Sequence, residues 1–222
     1  MLTNLDPGQH QPTHDRNGVM IVATTRGFFG RRTERDPRLP PGQYDVGAGW
    51  PVLTAEATPR VDADRWTVTV DGLVETPKTW SLRELRLLPP SVYAGDIHCV
   101  TTWSKLDTNF TGISLDTLLD AVGVRPEARY VVETSTTGYT TNLPIEDVTG
   151  GKAWLVWEHE GKPLTREHGG PVRMLVPHLY FWKSAKWISK ITLLDHDEPG
   201  FWEVNGYHER GDPWREQRFD GD

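Results

Sequence analysis

The chain has 222 residues and a formal net charge of −7, from 24 Lys and Arg against 31 Asp and Glu. This length predicts one domain, or two small ones, with a sizeable core, and the acidic balance argues against nucleic-acid binding as the main activity. Cys99 is the one cysteine, which excludes an intrachain disulfide and a cysteine-cluster zinc or iron–sulfur site. No apolar run is long enough to cross a bilayer, and no secretory signal is visible at the start. A cytoplasmic location is therefore expected.

The first part of the chain is polar and irregular in composition. Residues 1–25 are expected to form a mobile tail, and residues 26–222 are expected to form the folded domain. An arm rich in Arg, Pro and Gly runs from Arg26 to Gln43. On composition alone, this arm is typical of a solvated linker.

A strand and a helix are predicted next. Residues 66–70 alternate apolar and hydroxyl side chains before an Asp-Gly turn, which is typical of a strand. Ser81 and Glu84 have the spacing of a capping box. A helix is therefore expected to begin after Ser81 and to end before Pro89.

A second helix and four further strands complete the predicted elements. Apolar residues with the spacing of one helix face follow Ser114, and Gly123 is suited to the end of that helix. Strands are predicted at residues 130–133, 153–157, 172–176 and 187–194, with a loop at residues 158–163. Because strands and helices do not alternate regularly, the predicted fold class is α+β, dominated by β-structure.

The charged segment after Asp195 is unusually rich in aromatic residues. It carries Phe201, Trp202, Tyr207 and Trp214. Large rings need apolar surroundings, so this segment is expected to pack on the domain and not to form a free tail.

Common catalytic motifs are absent from the sequence. It contains no G-x-S-x-G nucleophile elbow, no G-x-x-x-x-G-K-[ST] phosphate loop and no H-E-x-x-H zinc helix. The candidates for chemistry are therefore Cys99 and a basic segment further along the chain.

Three roles are open for Cys99, which follows His98 directly. Free cysteines are most often buried and inert. A thiolate nucleophile would need a basic partner, but in an extended segment His98 and Cys99 point to opposite faces. The third role is a thiolate ligand to a soft or high-valent metal. A single protein ligand would require a cofactor that supplies the remaining ligands.

Basic residues are concentrated between residues 166 and 186, with small residues between them. They are Arg166, His168, Arg173, Lys183 and Lys186. Such a cluster on an acidic protein is suited to an anion such as a phosphate, because Arg offers forked donors and Lys a point charge. The alternative is a charged hairpin with solvated lysines.

Several short stretches stand in an order and spacing that are specific in combination. They are His98-Cys99-Val100 with Trp103-Ser104, Glu133-Thr134, Gly138-Tyr139, residues 167–177 and residues 183–187. In this order they resemble the molybdenum-cofactor domain of the sulfite oxidase family. The resemblance covers roughly residues 45–218.

The resemblance implies a single sulfite-oxidase-type domain that binds molybdenum through a phosphorylated pyranopterin dithiolene, and an enzyme that performs two-electron oxygen-atom transfer. Cys99 would be the one protein thiolate on the metal, and Tyr139 would hydrogen-bond the substrate. The implied cofactor-binding residues are Thr134, His168, Arg173, Ser184, Ala185 and Lys186. Arg173, His168 and Lys186 would neutralise the phosphate. The Arg-rich arm and residues 50–54 are candidates for covering the pterin.

The residues after Cys99 depart from the sulfite-oxidising members of the family. Those members have an asparagine and paired arginines there, whereas this chain has no positive charge before Lys105. A neutral, apolar wall is a poor receptor for a small dianion. A neutral S- or N-oxide is therefore the expected substrate, with sulfite as the alternative. The pattern is closer to the bacterial branch that contains the molybdenum-dependent methionine-sulfoxide reductase.

The partners follow from what the sequence lacks. It has no haem-binding Cys-x-x-Cys-His motif, so no haem is expected and a separate electron-transfer partner is expected beside a small-molecule substrate. Arg31 and Arg32 are too far into the chain to form the twin-arginine export signal of that branch. Two other hypotheses stay open: a non-catalytic binding module on the same fold, and a thiol enzyme that uses Cys99 with a distant histidine.

Overall fold

The structure is a computed structural model in which residues 36–222 are described. The predicted tail at residues 1–25 and the arm up to residue 35 lie outside the described residues. The described end of the arm forms turns that lead into the first strand, and Gln43 at its end is buried.

The described residues form two β-sheets, two α-helices and several short 3₁₀ turns. The first sheet contains β1 (Tyr44–Asp45), β4 (Ser91–His98), β5 (Trp103–Ser114), β8 (Trp154–His159), β9 (Lys162–Pro163) and β10 (Arg173–Leu175). The second sheet contains β2 (Thr67–Gly72), β3 (Lys78–Ser81), β6 (Tyr130–Ser135), β7 (Thr140–Pro144) and β11 (Ile188–Leu194). The helices are α1 (Leu82–Leu85) and α2 (Leu115–Val122).

The order of the strands confirms the predicted fold class. The first sheet runs β1-β5-β8-β10, with β4 also on β5 and β9 also on β8, and the second runs β3-β2-β11-β6-β7. The pairs β1/β5 and β2/β11 are parallel. The parallel strands β2 and β11 are far apart in the chain and no single crossover helix joins them. The protein is therefore an α+β fold dominated by β-structure.

Both helices begin where the sequence predicts. The backbone N–H of Ser81 donates to Glu84 Oε2 at 2.8 Å, and the backbone N–H of Glu84 donates to Ser81 Oγ at 3.3 Å, which completes the capping box of α1. Helix α2 follows Ser114 and ends at Gly123, whose φ of 68° suits a residue without a side chain.

The predicted strands correspond to β2, β6, β8, β10 and β11. The prediction of a loop at residues 158–163 is wrong. Residues 158–159 belong to β8 and residues 162–163 to β9, so the turn is reduced to Glu160 and Gly161. Their φ values of 50° and 68° suit a two-residue hairpin turn, which lets the strands pair up to the turn itself.

Buried apolar side chains form two clusters. The larger one includes Trp66, Leu85, Leu118 and Ile191 and joins the helices to the second sheet. The smaller one lies on the first sheet and contains Ile97, Cys99, Trp103, Phe110, Val156, Leu164 and Leu175. This smaller cluster supports the turn between β4 and β5, where Cys99 lies.

The segment after β11 contacts the rest of the domain through several side chains. Glu203 is buried and accepts hydrogen bonds from Trp182 Nε1 at 2.9 Å and from Thr141 Oγ1 at 3.1 Å. By contrast, Phe201 and Trp214 are 40% and 51% exposed. Within residues 36–222, no helix is long and apolar enough to span a membrane.

Candidate active site

Cys99 lies in a turn that is fixed by its backbone hydrogen bonds. Its N–H donates to Trp103 O at 2.8 Å, and its carbonyl accepts from the N–H of Thr102 at 3.1 Å. Gln43 Nε2 donates to the same carbonyl at 3.0 Å. The position of the thiol is therefore set by the backbone and not by a flexible loop.

His98 and Cys99 point in opposite directions, as an extended segment requires. Cys99 lines a cavity of about 290 Å³, the Cys99 cavity, whereas His98 lines a separate, open groove of about 740 Å³, the His98 groove. The His98 ring forms a hydrogen bond with Ser104 Oγ at 2.8 Å. Burial raises the pKa of Cys99 and lowers that of His98 to about 4. A thiol enzyme needs an activated thiolate, so this geometry gives that hypothesis no support.

The Cys99 cavity is formed by segments that are far apart in the sequence. It is lined by part of residues 50–56, the Cys99 turn, several residues between 168 and 187, and the aromatic residues Trp202 and Tyr207. Of the predicted site residues, Cys99, Tyr139, His168, Arg173, Ser184 and Lys186 line it. Thr134 and Ala185 lie outside the lining.

The two residues outside the lining support neighbouring segments through their backbone. The carbonyl of Thr134 accepts a hydrogen bond from Ser189 Oγ at 3.1 Å. The N–H of Ala185 donates to the buried Glu133 carboxyl at 2.8 Å. Burial raises the pKa of Glu133 to about 8.

Arg173 is a buried cation that has only carbonyl groups as hydrogen-bond acceptors. It is 2% exposed, and its guanidinium donates to Met174 O at 3.2 Å, His168 O at 3.0 Å and Ser184 O at 2.9 Å. Among the described residues, no carboxylate lies within ion-pair distance of it. Burial lowers its pKa to about 9. One N–H on each terminal nitrogen is left for a further acceptor.

Lys186 is a second cation whose hydrogen-bond acceptors are carbonyl groups. Its Nζ donates to Leu53 O at 2.6 Å and to Glu167 O at 2.8 Å. Burial, reinforced by Arg173, lowers the pKa of Lys186 to about 8. The Cys99 cavity therefore contains two cations that form no ion pair with a carboxylate among the described residues, although Glu133 favours the charged form of Arg173 and Glu56 that of Lys186 from a longer distance.

The structure divides the basic cluster that the sequence predicts. Lys183 is fully buried away from the cavity and pairs with Glu203 at 2.6 Å. Arg166 also lies outside the lining and approaches Glu167 at 3.6 Å on the surface. Lys183 and Arg166 therefore form ion pairs with carboxylates of the protein and do not contribute to the cavity.

His168 contributes a ring surface to the cavity. Its ring stacks on Trp50, with centroids 3.8 Å apart and planes at 10°. Burial, with the nearby Arg173 and Lys186, lowers its pKa to about 4. Without a bound anion the ring is therefore neutral at neutral pH. The expectation that His168 helps to neutralise a phosphate stays a prediction.

Tyr139 forms part of the cavity wall with its hydroxyl already engaged. The hydroxyl donates to Trp182 O at 2.7 Å. Burial raises the pKa of Tyr139 well above its usual value. The hydroxyl proton is therefore held by the backbone, and only the oxygen lone pairs are left for a ligand.

Sequence reasoning missed three features of the cavity. Thr101 Oγ1 lies 3.2 Å from Cys99 Sγ. Glu56 contributes a carboxyl group to the lining, and burial raises its pKa. The indole N–H of Trp103 is buried and has no hydrogen-bond partner among the described residues. Of these three features, only the contact of Thr101 has a signal in the sequence, because Thr101 lies two residues after Cys99.

Comparison with known proteins identifies a family. Residues 55–202 match the family model described as "Oxidoreductase molybdopterin binding domain". The chain is 43% identical over 198 residues to the "Uncharacterized oxidoreductase YuiH" of Bacillus subtilis (strain 168), which covers 88% of this chain and 100% of the relative.

Two further relatives are more distant and longer. The chain is 28% identical to the "Putative protein-methionine-sulfoxide reductase subunit YedZ1" of Azospira oryzae, over 67% of this chain and 56% of that protein. It is 29% identical to the "Protein-methionine-sulfoxide reductase catalytic subunit MsrP" of Ralstonia nicotianae, over 66% of this chain and 49% of that protein. The chain thus spans about half the length of these two relatives.

A solved structure supports the fold. The sulfane dehydrogenase SoxCD from Paracoccus pantotrophus matches with a TM-score of 0.59 and 19% identity. The match covers 67% of this chain and 42% of that chain. At this identity, the likeness extends to the fold alone.

Proposed function

The chain belongs to the sulfite-oxidase-type family of molybdopterin-binding oxidoreductases, and from this premise we propose that it is a molybdenum enzyme for two-electron oxygen-atom transfer. The proposed substrate is a small, neutral S- or N-oxide. Family membership makes the protein an oxidoreductase. The metal, the substrate class and the reaction belong to the proposal.

The two cations of the Cys99 cavity, which form hydrogen bonds to carbonyl groups and no ion pair, are the observation that carries this proposal. Arg173 is buried with carbonyl partners alone, and Lys186 beside it is partly buried in the same way. A buried cation without a counter-charge costs several kcal/mol unless an anion binds. The phosphate of a pterin cofactor supplies such an anion, so these residues fit the group.

The ligand set also favours a cofactor that brings its own donors. In residues 36–222, no three His, Cys, Asp or Glu side chains converge into a metal site. Cys99 Sγ, however, lines the cavity that contains the two cations. A soft thiolate suits a metal whose other sulfur ligands come from the pterin.

Each lining residue then has a defined task. Cys99 holds the metal, Arg173 and Lys186 bind the phosphate, and the stacked pair of Trp50 and His168 bounds the space for the pterin ring. When bound, the molybdenum pterin would supply the two-electron chemistry: the oxide substrate gives up its oxygen atom, which leaves as water with two protons, and the two electrons come from the separate partner protein.

Other residues position this set. Ser184 accepts a hydrogen bond from the N–H of Val176 at 2.9 Å and lines the cavity. Thr134 and Ala185 fix the backbone behind it. Tyr139, with its hydroxyl on Trp182 O, shapes the substrate end and offers lone pairs there.

The lining at the substrate end favours a neutral substrate. Apart from Arg173 and Lys186, no cationic Arg or Lys lines the Cys99 cavity among the described residues. The remaining wall is formed by side chains such as Val100, Trp182 and Trp202. A sulfite dianion would need paired donors there. A sulfoxide carries no net charge and can lie against aromatic walls, which is consistent with the names of two relatives.

The electrons require a second protein in this proposal. The 222 residues contain one cysteine and no Cys-x-x-Cys-His motif, so the chain offers no ligand set for an iron–sulfur cluster or a c-type haem. We therefore propose a separate electron-transfer partner. The cytoplasmic location expected from the sequence stays a prediction.

The test is direct. The protein is produced in a host that makes the pterin cofactor, molybdenum is measured by elemental analysis, and the pterin is measured by fluorescence after acid oxidation. We expect a stoichiometric amount of both, and turnover with S- or N-oxides that exceeds turnover with sulfite. Protein that lacks molybdenum and pterin would contradict the proposal, and preferential sulfite turnover would contradict its substrate class.

A further inference from the structure

The hydroxyl of Thr101 lies beside the sulfur of Cys99. Thr101 Oγ1 is 3.2 Å from Cys99 Sγ, and Thr101 lines the Cys99 cavity. Among the described residues, the Thr101 hydroxyl has no hydrogen-bond partner other than the Cys99 sulfur. A neutral thiol can either donate or accept at this distance, but a metal-bound thiolate has no proton and can only accept.

The backbone holds Thr101 in this place. The N–H of Thr102 donates to Cys99 O at 3.1 Å and closes the turn around Thr101. Arg218 Nη1 donates to Val100 O at 2.7 Å and so ties the outer side of the turn to the C-terminal segment. The contact between hydroxyl and sulfur is therefore part of a fixed turn, although Thr101 itself is exposed.

We propose that Thr101 is a positioning residue that donates a hydrogen bond to the metal-bound Cys99 sulfur and thereby raises the reduction potential of the molybdenum centre. This inference rests on the proposed function. A hydrogen bond to a coordinating sulfur withdraws electron density from it, so the sulfur donates less to the metal. The reduced, more electron-rich state of the metal is then stabilised, as at other metal centres with sulfur ligands.

Turnover alone cannot test this role. Thr101 also lines the Cys99 cavity, so its substitution can change substrate binding as well as the potential of the metal. The deciding measurement is the midpoint potential of the molybdenum centre in the holoenzyme, followed by electron paramagnetic resonance during a redox titration without substrate. Metal content and thermal unfolding are measured on the same samples.

Three substitutions and one matched control define the experiment. Thr101→Val keeps the shape and removes the hydroxyl, Thr101→Ala removes both, and Thr101→Ser keeps the hydroxyl. Thr102→Val removes a hydroxyl from the same turn that bonds to a backbone carbonyl and not to the sulfur. We expect lower potentials in Thr101→Val and Thr101→Ala, and potentials close to that of the unmodified protein in Thr101→Ser and Thr102→Val.

The outcomes separate this inference from the proposed function. Unchanged potentials in fully loaded Thr101→Val and Thr101→Ala would overturn the role of Thr101 and leave the proposed function intact. Loss of molybdenum from both hydroxyl-free variants, with normal loading of Thr101→Ser, would also overturn it, because the hydroxyl would then serve binding. Unmodified protein that contains no molybdenum would remove both proposals.

Discussion

The two cavities on either side of the His98–Cys99 peptide differ in how their charges are paired. In the larger His98 groove, Arg38 pairs with Asp107 at 2.6 Å and Arg210 pairs with Asp147 at 3.0 Å, whereas the exposed Lys152 donates to Glu146 O at 2.8 Å. In the smaller Cys99 cavity, the cations Arg173 and Lys186 have carbonyl partners only. The feature that distinguishes the proposed anion site is therefore a buried cation, Arg173, without an ion-pair partner, and not the volume of the cavity.

The difference has a simple physical basis. A carboxylate at short range neutralises a guanidinium and uses its N–H donors, so the Arg210–Asp147 pair contributes to the stability of the fold. Carbonyl oxygens orient Arg173 without neutralising it, so its charge is left for a ligand. Substitutions of the cations in the Cys99 cavity should therefore reduce cofactor binding. Substitutions of the paired residues in the His98 groove should lower only the stability of the fold.

The largest effect is expected from Cys99→Ser. Replacement of the proposed metal ligand should abolish turnover, whereas much of the pterin should be retained because Arg173 and Lys186 still bind its phosphate. Turnover and pterin content of the purified variant are the measurements. Full activity in this variant would contradict the assignment of Cys99.

Arg173→Met tests the unpaired cation, with Arg210→Met as its control in the His98 groove. Loss of the guanidinium should weaken cofactor binding roughly a hundredfold, since charge-assisted hydrogen bonds contribute about 1.5–3 kcal/mol each. The Arg210→Met variant should unfold at a lower temperature and keep its cofactor. Pterin content and thermal unfolding of both variants decide the comparison, and equal cofactor loss in the two would break it.

The titration of Lys186 should make the retention of the cofactor depend on pH. The pKa of Lys186 is lowered to about 8 in the absence of an anion, mainly by burial. A bound phosphate favours the ammonium form, so binding takes up a proton above about pH 8 and weakens as the pH rises. Pterin release measured across this range should become faster with rising pH.

The Lys186→Met variant is the control for that assignment. It should lose the cofactor roughly tenfold more readily at neutral pH. It should also show a flatter pH dependence. An unchanged profile in this variant would show that another group titrates.

A further prediction concerns stability and the paired carboxylate of the His98 groove. Although burial opposes ionisation, hydrogen bonds from His178 and Arg210 lower the pKa of Asp147 from 3.8 to about 2. Because the folded-state pKa is depressed, ionised Asp147 should contribute about 2 kcal/mol of stability above about pH 4, which is lost as the pH falls toward 2. Urea unfolding of Asp147→Asn should show this deficit at neutral pH and a narrowing gap below about pH 4.

Asp195→Asn provides the matched control. Asp195 also bonds to a histidine, His196, but both side chains are 67% exposed. Exposed pairs contribute little to stability, so this variant should unfold like the unmodified protein. A deficit in Asp147→Asn that does not change with pH would contradict the ion-pair explanation.

Local patterns predicted much of the fold. The capping box at Ser81 and the apolar face after Ser114 placed both helices, because these signals depend on residues a few positions apart. Strands β4 and β5 were not predicted. Their pairing includes a register shift between Gly95 and Ile97, and such irregularities interrupt the alternation that marks a strand.

The sequence predicted six residues that line the Cys99 cavity, and their roles stay predictions. The order of the motifs predicted that Cys99, His168, Arg173 and Lys186 belong to one site, and in the structure they line one cavity. It could not show that Lys183, in the same run of basic residues, points to Glu203 instead. Such pairing depends on contacts between residues distant in the chain, as does the burial that keeps His168 neutral.

The sulfur coordination of molybdenum tests the central claim most directly. X-ray absorption spectra of the loaded protein and of Cys99→Ser, compared at the molybdenum edge, count the sulfur atoms bound to the metal. The account predicts one sulfur fewer in the variant. The same number of sulfur neighbours in both proteins would show that Cys99 does not bind the metal.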